Sequence, residues 1–533
     1  MDLNQIALWL AGLPAATLFW KSARAPHRPI GWLVVSGVVL LVALLGWFVV
    51  PEYAGYAAGT LALLFILLPT WIHNAAARAS NRFLYRRARR LFTYAALLHP
   101  FDGWLDMPRL FQAFELAHLG KTAEAEALLL VLSRGTGNTA AIAQAHRLRI
   151  LGRWRELKAL AEANGLMAVG RDPSLLVLYL RALGELGEVD HLAEFMRARE
   201  ETLLGTGAFE AGLLYLFAFS GQVELTRQAL AAGRETYTDD ARQFWVALAS
   251  QRAGDVAQAQ RLFGALRQSS DLQIRQRAER HIDELLYGSP AEPPSMRVLQ
   301  IVAHFARLAG QRRHLLPNPQ AQRAARRMTI SLVVANTVVF LIGSHDSRPR
   351  FDDTTEAFVK LWAFEKSEVL AGQWWRLFSY MFVHGNLVHL VMNMAGLWVL
   401  GPLVERTFGR LRFALIYLAS GVAACSLYLF LPANSLVGAS GCIMGLLGAT
   451  IAVALRAWVT QRAPIARQFF VRLLSVVALQ VVFDQSINYM NRGDKAAPQI
   501  AGLAHYLGLT GGFLAALLLR EAEKAKTSLA GSV

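Results

Sequence analysis

Four long stretches of the chain carry no charged residue: Gly31–Val50, Tyr53–Ile72, Phe413–Leu455 and Gln499–Leu519. One membrane-spanning helix needs about 20 apolar residues. The first two stretches, joined by Pro51-Glu52, therefore predict a helical hairpin. The third predicts two spans, with a break at Pro432-Ala433-Asn434-Ser435. An earlier segment, Ile6–Trp20, is of marginal length and contains Pro14, so it either spans or lies in the interface. The second half reads as six spans: Met328–Gly343, Leu387–Val404, Phe413–Leu431, Gly438–Leu455, Phe469–Phe483 and Ile500–Leu519. The fifth is the weakest, because Arg472 lies inside it and Gln480 and Asp484 sit at its end.

Between the two apolar blocks the pattern changes to amphipathic helix, rich in Ala, Leu, Arg and Glu. A helix ending in glycine recurs at Gly120, Gly152, Gly187, Gly221 and Gly254, with spacings of 32, 35, 34 and 33 residues. A period near 34 with helix–turn–helix character resembles tetratricopeptide repeats. An irregular helical array is the alternative. Either way the region predicts an α-solenoid of about five helix pairs, whose concave surface is the usual site for a protein partner. The fold class is all-α. The predicted order is N-terminal membrane helices over 1–75, a repeat domain over 92–285, a linker and basic juxtamembrane segment over 286–327, a six-span domain over 328–520 and a cytoplasmic tail over 521–533.

Composition agrees: 54% of residues are hydrophobic and 17% charged. The net charge of +16 does not call for nucleic acid, because the arginines cluster beside apolar runs. Six lie between Arg78 and Arg90, and Arg323, Arg326 and Arg327 precede the second block. Positive flanks stay on the cytoplasmic side, which places the repeats there and gives eight or nine spans. The connections with Arg406, Arg410, Arg412, Arg456, Arg462 and Arg467 are then cytoplasmic. The opposite connections hold only Arg492 and Lys495 against Asp494. The N-terminus lacks the positive region of a signal peptide, so no cleavage is expected there. Cys425 and Cys442 lie in apolar segments and read as buried thiols.

This topology puts Ser440, in Gly438-Ala439-Ser440-Gly441, and His505, in IAGLAHYLGLTGGF, near the same outer face. Ionisable residues inside a span are costly and face the bundle interior. His505, Gly508 and Gly512 share a helix face, and Gly441, Gly445 and Gly448 form a matching one. Two such small-residue faces can dock closely, which would bring serine and histidine to the distance a nucleophile and its base require. The stretch HGNLVHLVMNM supplies His389 and Asn393, four apart, as candidate oxyanion donors with the Ser440 backbone N–H. His384 is about 140° round the helix from His389 and reads as a structural residue. A metal reading fails for want of a third ligand at helical spacing.

These residues resemble the rhomboid intramembrane serine proteases over about 325–520. The resemblance includes Trp375-Arg376, His384, His389 and Asn393, Glu405 and Gly409 in VERTFG, Ser440 in GASG, and Ala504, His505, Gly508 and Gly512 in AHYLGLTGG. It implies a six-helix bundle around a water-filled cavity open to the outer face. It implies a Ser440–His505 dyad without an acid, an oxyanion hole of His389, Asn393 and the Ser440 backbone, and Arg376 in a loop element partly in the outer leaflet. The activity implied is cofactor-free cleavage of transmembrane protein substrates in the lipid bilayer. The rival is a non-catalytic adaptor that binds client helices in the bundle and soluble partners on the repeats.

Overall fold

The structure is a computed structural model, and it describes residues 3–25, 29–135, 138–163, 173–204, 206–232, 237–288, 292–315, 326–344, 356–431, 435–461, 464–490, 502–519 and 521. The break at Pro432-Ala433-Asn434, the charges Arg323, Arg462, Arg492, Asp494 and Lys495, and all of the tail except Glu521 lie outside the described residues. The chain divides into two compact units, residues 7–306 and residues 307–533 with the first six. Its secondary structure is helical. Among the described residues the extended pairing is one bridge, Phe364 to Leu436.

The first helix, α1 (Leu3–Arg24), which belongs to the first unit from Ala7 on, is one continuous helix despite Pro14, long and apolar enough to cross a membrane. The predicted hairpin is α2 (Ile30–Val49) followed by α3 (Ala54–Ala62) and α4 (Leu68–Asn81), with a π-helical turn at Leu63–Leu67 between them. Val34, Val38, Leu41, Leu44, Leu45 and Phe48 leave the outer side of α2 exposed, a surface suited to lipid and not to water. The N-terminus of α2 is held by Asp102, whose carboxylate accepts from the Gly31 and Trp32 N–H groups at 3.1 and 3.3 Å. His99 stacks on Trp32 and also bonds Asp102, so the hairpin is joined to the start of the repeats.

After α5 (Tyr85–Leu98) come five helix pairs. They are α6 (Met107–His118) with α7 (Thr122–Ser133), α8 (Asn138–Ile150) with α9 (Trp154–Ala163), and α10 (Pro173–Glu185) with α11 (Val189–Ala198). The last two are α12 (Ala208–Phe219) with α13 (Val223–Ala232), and α14 (Asp239–Arg252) with α15 (Val256–Leu266). All five turn glycines have positive φ, from 68° to 82°. In each, the N–H after the glycine reaches back to the carbonyl five residues earlier, as Lys121 does to Leu116 and Asp255 to Ser250. This ending satisfies orphan carbonyls and needs a residue tolerant of the left-handed region.

The next helix, α16 (Leu272–Tyr287), packs on the fifth pair, where His281 stacks on Phe263, and it also reaches earlier pairs. Leu272 lies against the Gly120 turn of the first pair, Arg277 bonds Glu185 of the third at 2.9 Å, and Arg277 sits over Phe244 of the fifth. In the segment expected as a linker, α17 (Met296–Leu315) docks on the repeats through Ser295–Asp190, Arg297–Glu194 and His304–Glu200.

The second unit holds α18 (Arg327–Gly343), α19 (Leu387–Phe408), α20 (Arg410–Ser426), α21 (Ser440–Gln461), α22 (Pro464–Met490) and α23 (Gly502–Leu518). Each overlaps one of the six predicted segments with ends shifted by up to seven residues; four are long and apolar enough to cross a membrane, and α18 and α23 are shorter. In α21, 72% of the membrane-length window is buried, against 17% in α22, so α21 is the central helix and α22 a peripheral one. Glu405 caps the facing helix: its carboxylate accepts from the Met328 and Thr329 N–H groups and the Thr329 hydroxyl at 2.8–2.9 Å. A carboxylate at a helix N-terminus satisfies orphan donors and favours the dipole. Gly409, at φ 79°, makes the turn into α20.

Candidate active site

The two glycine faces meet. A Cβ added to Gly508 would lie 2.2 Å from the Gly441 carbonyl oxygen, and one added to Gly512 would lie 2.1 Å from that of Gly445. The backbones of α21 and α23 are therefore in direct contact. This approach brings His505 Nε2 to 2.9 Å from Ser440 Oγ. Ser440 is the first residue of α21, where backbone N–H groups lack intrahelical partners and point outward. His505 is buried.

Gly438 explains how the neighbouring donors fit. Its φ is 110°, and a side chain there would meet His389 Nε2 at 2.7 Å and Asn393 Nδ2 at 3.7 Å. The His389 and Asn393 side chains thus reach the backbone two residues before Ser440. Both are oriented by α19. The Asn386 side chain accepts from the His389 N–H at 2.9 Å, and Asn393 Nδ2 donates to the His389 carbonyl at 2.9 Å. His384 is fully buried and packs edge-on against the His389 ring at 5.1 Å, a position that braces His389.

Arg376 is buried, and its guanidinium donates to the Lys360 and Ala363 carbonyls and to the Gln373 side chain. It ties together a loop element whose Trp362, Trp374, Trp375 and Phe378 are exposed, an aromatic surface of the kind found at membrane interfaces.

Three contacts here had no signal in the apolar pattern. Tyr380 accepts from the Gly438 N–H at 2.9 Å and donates through its hydroxyl to the Gly421 carbonyl at 2.7 Å. Phe364 and Leu436 exchange two backbone hydrogen bonds, joining the loop element to the approach to Ser440. The third departs from the expected dyad without an acid. The other ring nitrogen of His505, Nδ1, lies 2.8 Å from Asp484 Oδ2.

A rhomboid-domain family model matches residues 371–522. "Rhomboid protease GluP" of Bacillus subtilis is 34% identical over 166 residues, covering 31% of this chain and 30% of that protein. "RHOMBOID-like protein 4" of Arabidopsis thaliana is 36% identical over 155 residues, 29% of this chain and 36% of the relative. "Putative rhomboid protease YdcA" of Bacillus subtilis is 31% identical over 155 residues, 28% of this chain and 69% of the relative. The chain spans only 33% to 54% of the length of several other relatives. With seven helices among the described residues long and apolar enough to cross a membrane, and two shorter apolar ones, Arg327–Gly343 and Gly502–Leu518, in the second unit, this is a multi-pass integral membrane protein. From the matched domain and the relative it covers by more than two thirds, the chain belongs to the rhomboid family.

Proposed function

We propose that the protein is a serine-type intramembrane endopeptidase that cleaves transmembrane helices. The observation that carries the reading is the 2.9 Å contact between Ser440 Oγ and His505 Nε2 at a helix N-terminus. His505 Nε2 takes the hydroxyl proton as Oγ attacks the carbonyl carbon of the scissile bond. The oxyanion is held by His389, Asn393 and the Ser440 N–H. His505 then gives the proton to the leaving amine, and water hydrolyses the acyl-enzyme. A helical substrate has its carbonyls bonded internally, so small or helix-breaking residues near the outer end of its span favour entry. A fluorophosphonate probe tests the nucleophile: in native membranes it should label the wild-type protein and spare Ser440→Ala. Equal labelling of both proteins counts against the reading and leaves the adaptor.

The same proposal assigns the tetratricopeptide-like repeats a cytoplasmic protein partner, with the catalytic site opening to the outer side. The arginines flanking the repeats favour this orientation. With α1 counted as a span, the total is nine and the N-terminus is external. Single cysteines at Glu224 and Lys360, both with well-exposed side chains, test it in a background lacking Cys425 and Cys442. An impermeant thiol reagent added outside should modify Lys360→Cys and leave Glu224→Cys untouched. The reverse pattern, or labelling of both, overturns the orientation.

A further inference from the structure

We infer that Asp484 is a positioning residue for His505, making the site a Ser–His–Asp array where two residues were expected. The inference rests on the reading of Ser440 and His505 as nucleophile and base.

The geometry is that of a relay with both ring nitrogens engaged. Nε2 of His505 faces Ser440 Oγ at 2.9 Å, and Nδ1 faces Asp484 Oδ2 at 2.8 Å. Asp484 has no exposed surface at all, although α22 presents Val471, Leu474, Val476, Leu479 and Val482 outward. A carboxylate on a membrane-spanning helix is costly, and where it occurs it marks a function with a named partner. Here the partner is His505. The second oxygen, Oδ1, accepts from Gln480 Nε2, one turn earlier on α22, at 2.8 Å. Both carboxylate oxygens are therefore assigned.

That arrangement fixes the state of the imidazole. An ionised carboxylate only accepts hydrogen bonds, so Nδ1 carries the proton and the Nε2 lone pair is left for the serine hydroxyl. Without the carboxylate, the neutral ring divides between two tautomers, of which the one protonated on Nε2 cannot take a proton from Ser440. The ring is also free to turn. When Nε2 does accept the proton, the positive charge forms beside Asp484 in a water-poor site, where such an interaction is strong. A simpler reading is that the contact only ties α22 to α23.

Asparagine at 484 separates the two readings. An amide carries both a donor and an acceptor, and the Gln480 side chain can turn to match either. The new amide therefore either turns its NH₂ toward Nδ1, which forces the proton onto Nε2 and blocks the base, or keeps its oxygen there without the negative charge that stabilises the imidazolium. Asp484→Asn is nearly isosteric, so a purely structural tie predicts little change.

We expect Asp484→Asn to lower kcat for a transmembrane reporter by about 10²–10⁴-fold with KM unchanged. The assay uses the full chain in membranes beside wild type and Ser440→Ala. If wild type and Ser440→Ala cleave alike, the protease reading fails and this one with it. If Ser440→Ala is inactive while Asp484→Asn stays within about threefold of wild type, only the role of Asp484 is overturned. Where Asp484→Asn does not accumulate, Asp484→Glu carries the test. It should retain more activity than Asp484→Ala at equal protein level, and equality between them overturns the inference.

Discussion

Replacing Ser440 or His505 by alanine is expected to end cleavage of a transmembrane reporter while the protein still accumulates in the membrane. Residues that act as one unit lose nearly all of the rate when either is removed, by about 10⁴–10⁶-fold in serine hydrolases. The proposed pair is such a unit, because Oγ and Nε2 share one proton at 2.9 Å. Ser440→Ala deletes one oxygen at a half-buried helix N-terminus, and its structural cost is small. His505→Ala also opens a cavity, so His505→Gln serves as the variant of similar size. Asn393→Ala should be milder, lowering turnover by up to about 10²–10³-fold. His389 and the Ser440 N–H would remain as donors. Equal cleavage by wild type and Ser440→Ala would remove the protease reading in favour of the adaptor. A fall in the amount of Asn393→Ala with normal turnover per molecule would make Asn393 structural, in keeping with its bond to the His389 carbonyl.

What could be read from the sequence was what repeats or runs locally. The five turn glycines were legible because each helix ending needs the same backbone conformation, and all five adopt it. The glycine spacing on the serine and histidine spans was legible for a related reason: small residues three and four apart make a flat helix face. Contacts between distant segments left no such trace. Asp484 appeared only as a charge weakening the fifth span, and its partner lies 21 residues away on another helix. Glu405 belonged to a resemblance without a visible task, which is capping α18 across 76 or 77 residues. Tyr380 had no signal, since one aromatic residue in a loop does not reveal that it holds Gly438 and Gly421 together. Pro14 made α1 look marginal, yet the helix continues through it. For α16, amphipathicity indicated a helix but not that it crosses the array to the first pair.

Gly508→Ala and Gly512→Ala are expected to disable the site without touching Ser440 or His505. Ordinary van der Waals contact for a Cβ begins at 3.4 Å, whereas the new methyl groups would sit 2.2 and 2.1 Å from the carbonyl oxygens of Gly441 and Gly445. Those neighbours are backbone atoms of the central helix and cannot swing aside as a side chain can. The two helices must part by roughly 1 Å, and a misplacement of that size in a catalytic array costs about 10²-fold in rate. Gly508 faces the turn that directly follows Ser440, so separation there acts on the Oγ–Nε2 contact itself. The double variant should lose more than either single one, because each holds one turn of the same seam. Leu514→Ala, at an exposed position of the same helix, is the control and should keep near wild-type activity. The measurement is reporter cleavage per molecule, with fluorophosphonate labelling of Ser440 followed in parallel. Labelling should fall along with cleavage, because the serine loses its base. Wild-type cleavage by Gly508→Ala would mean that the helices tolerate separation, and that close backbone packing is not what brings Ser440 and His505 together.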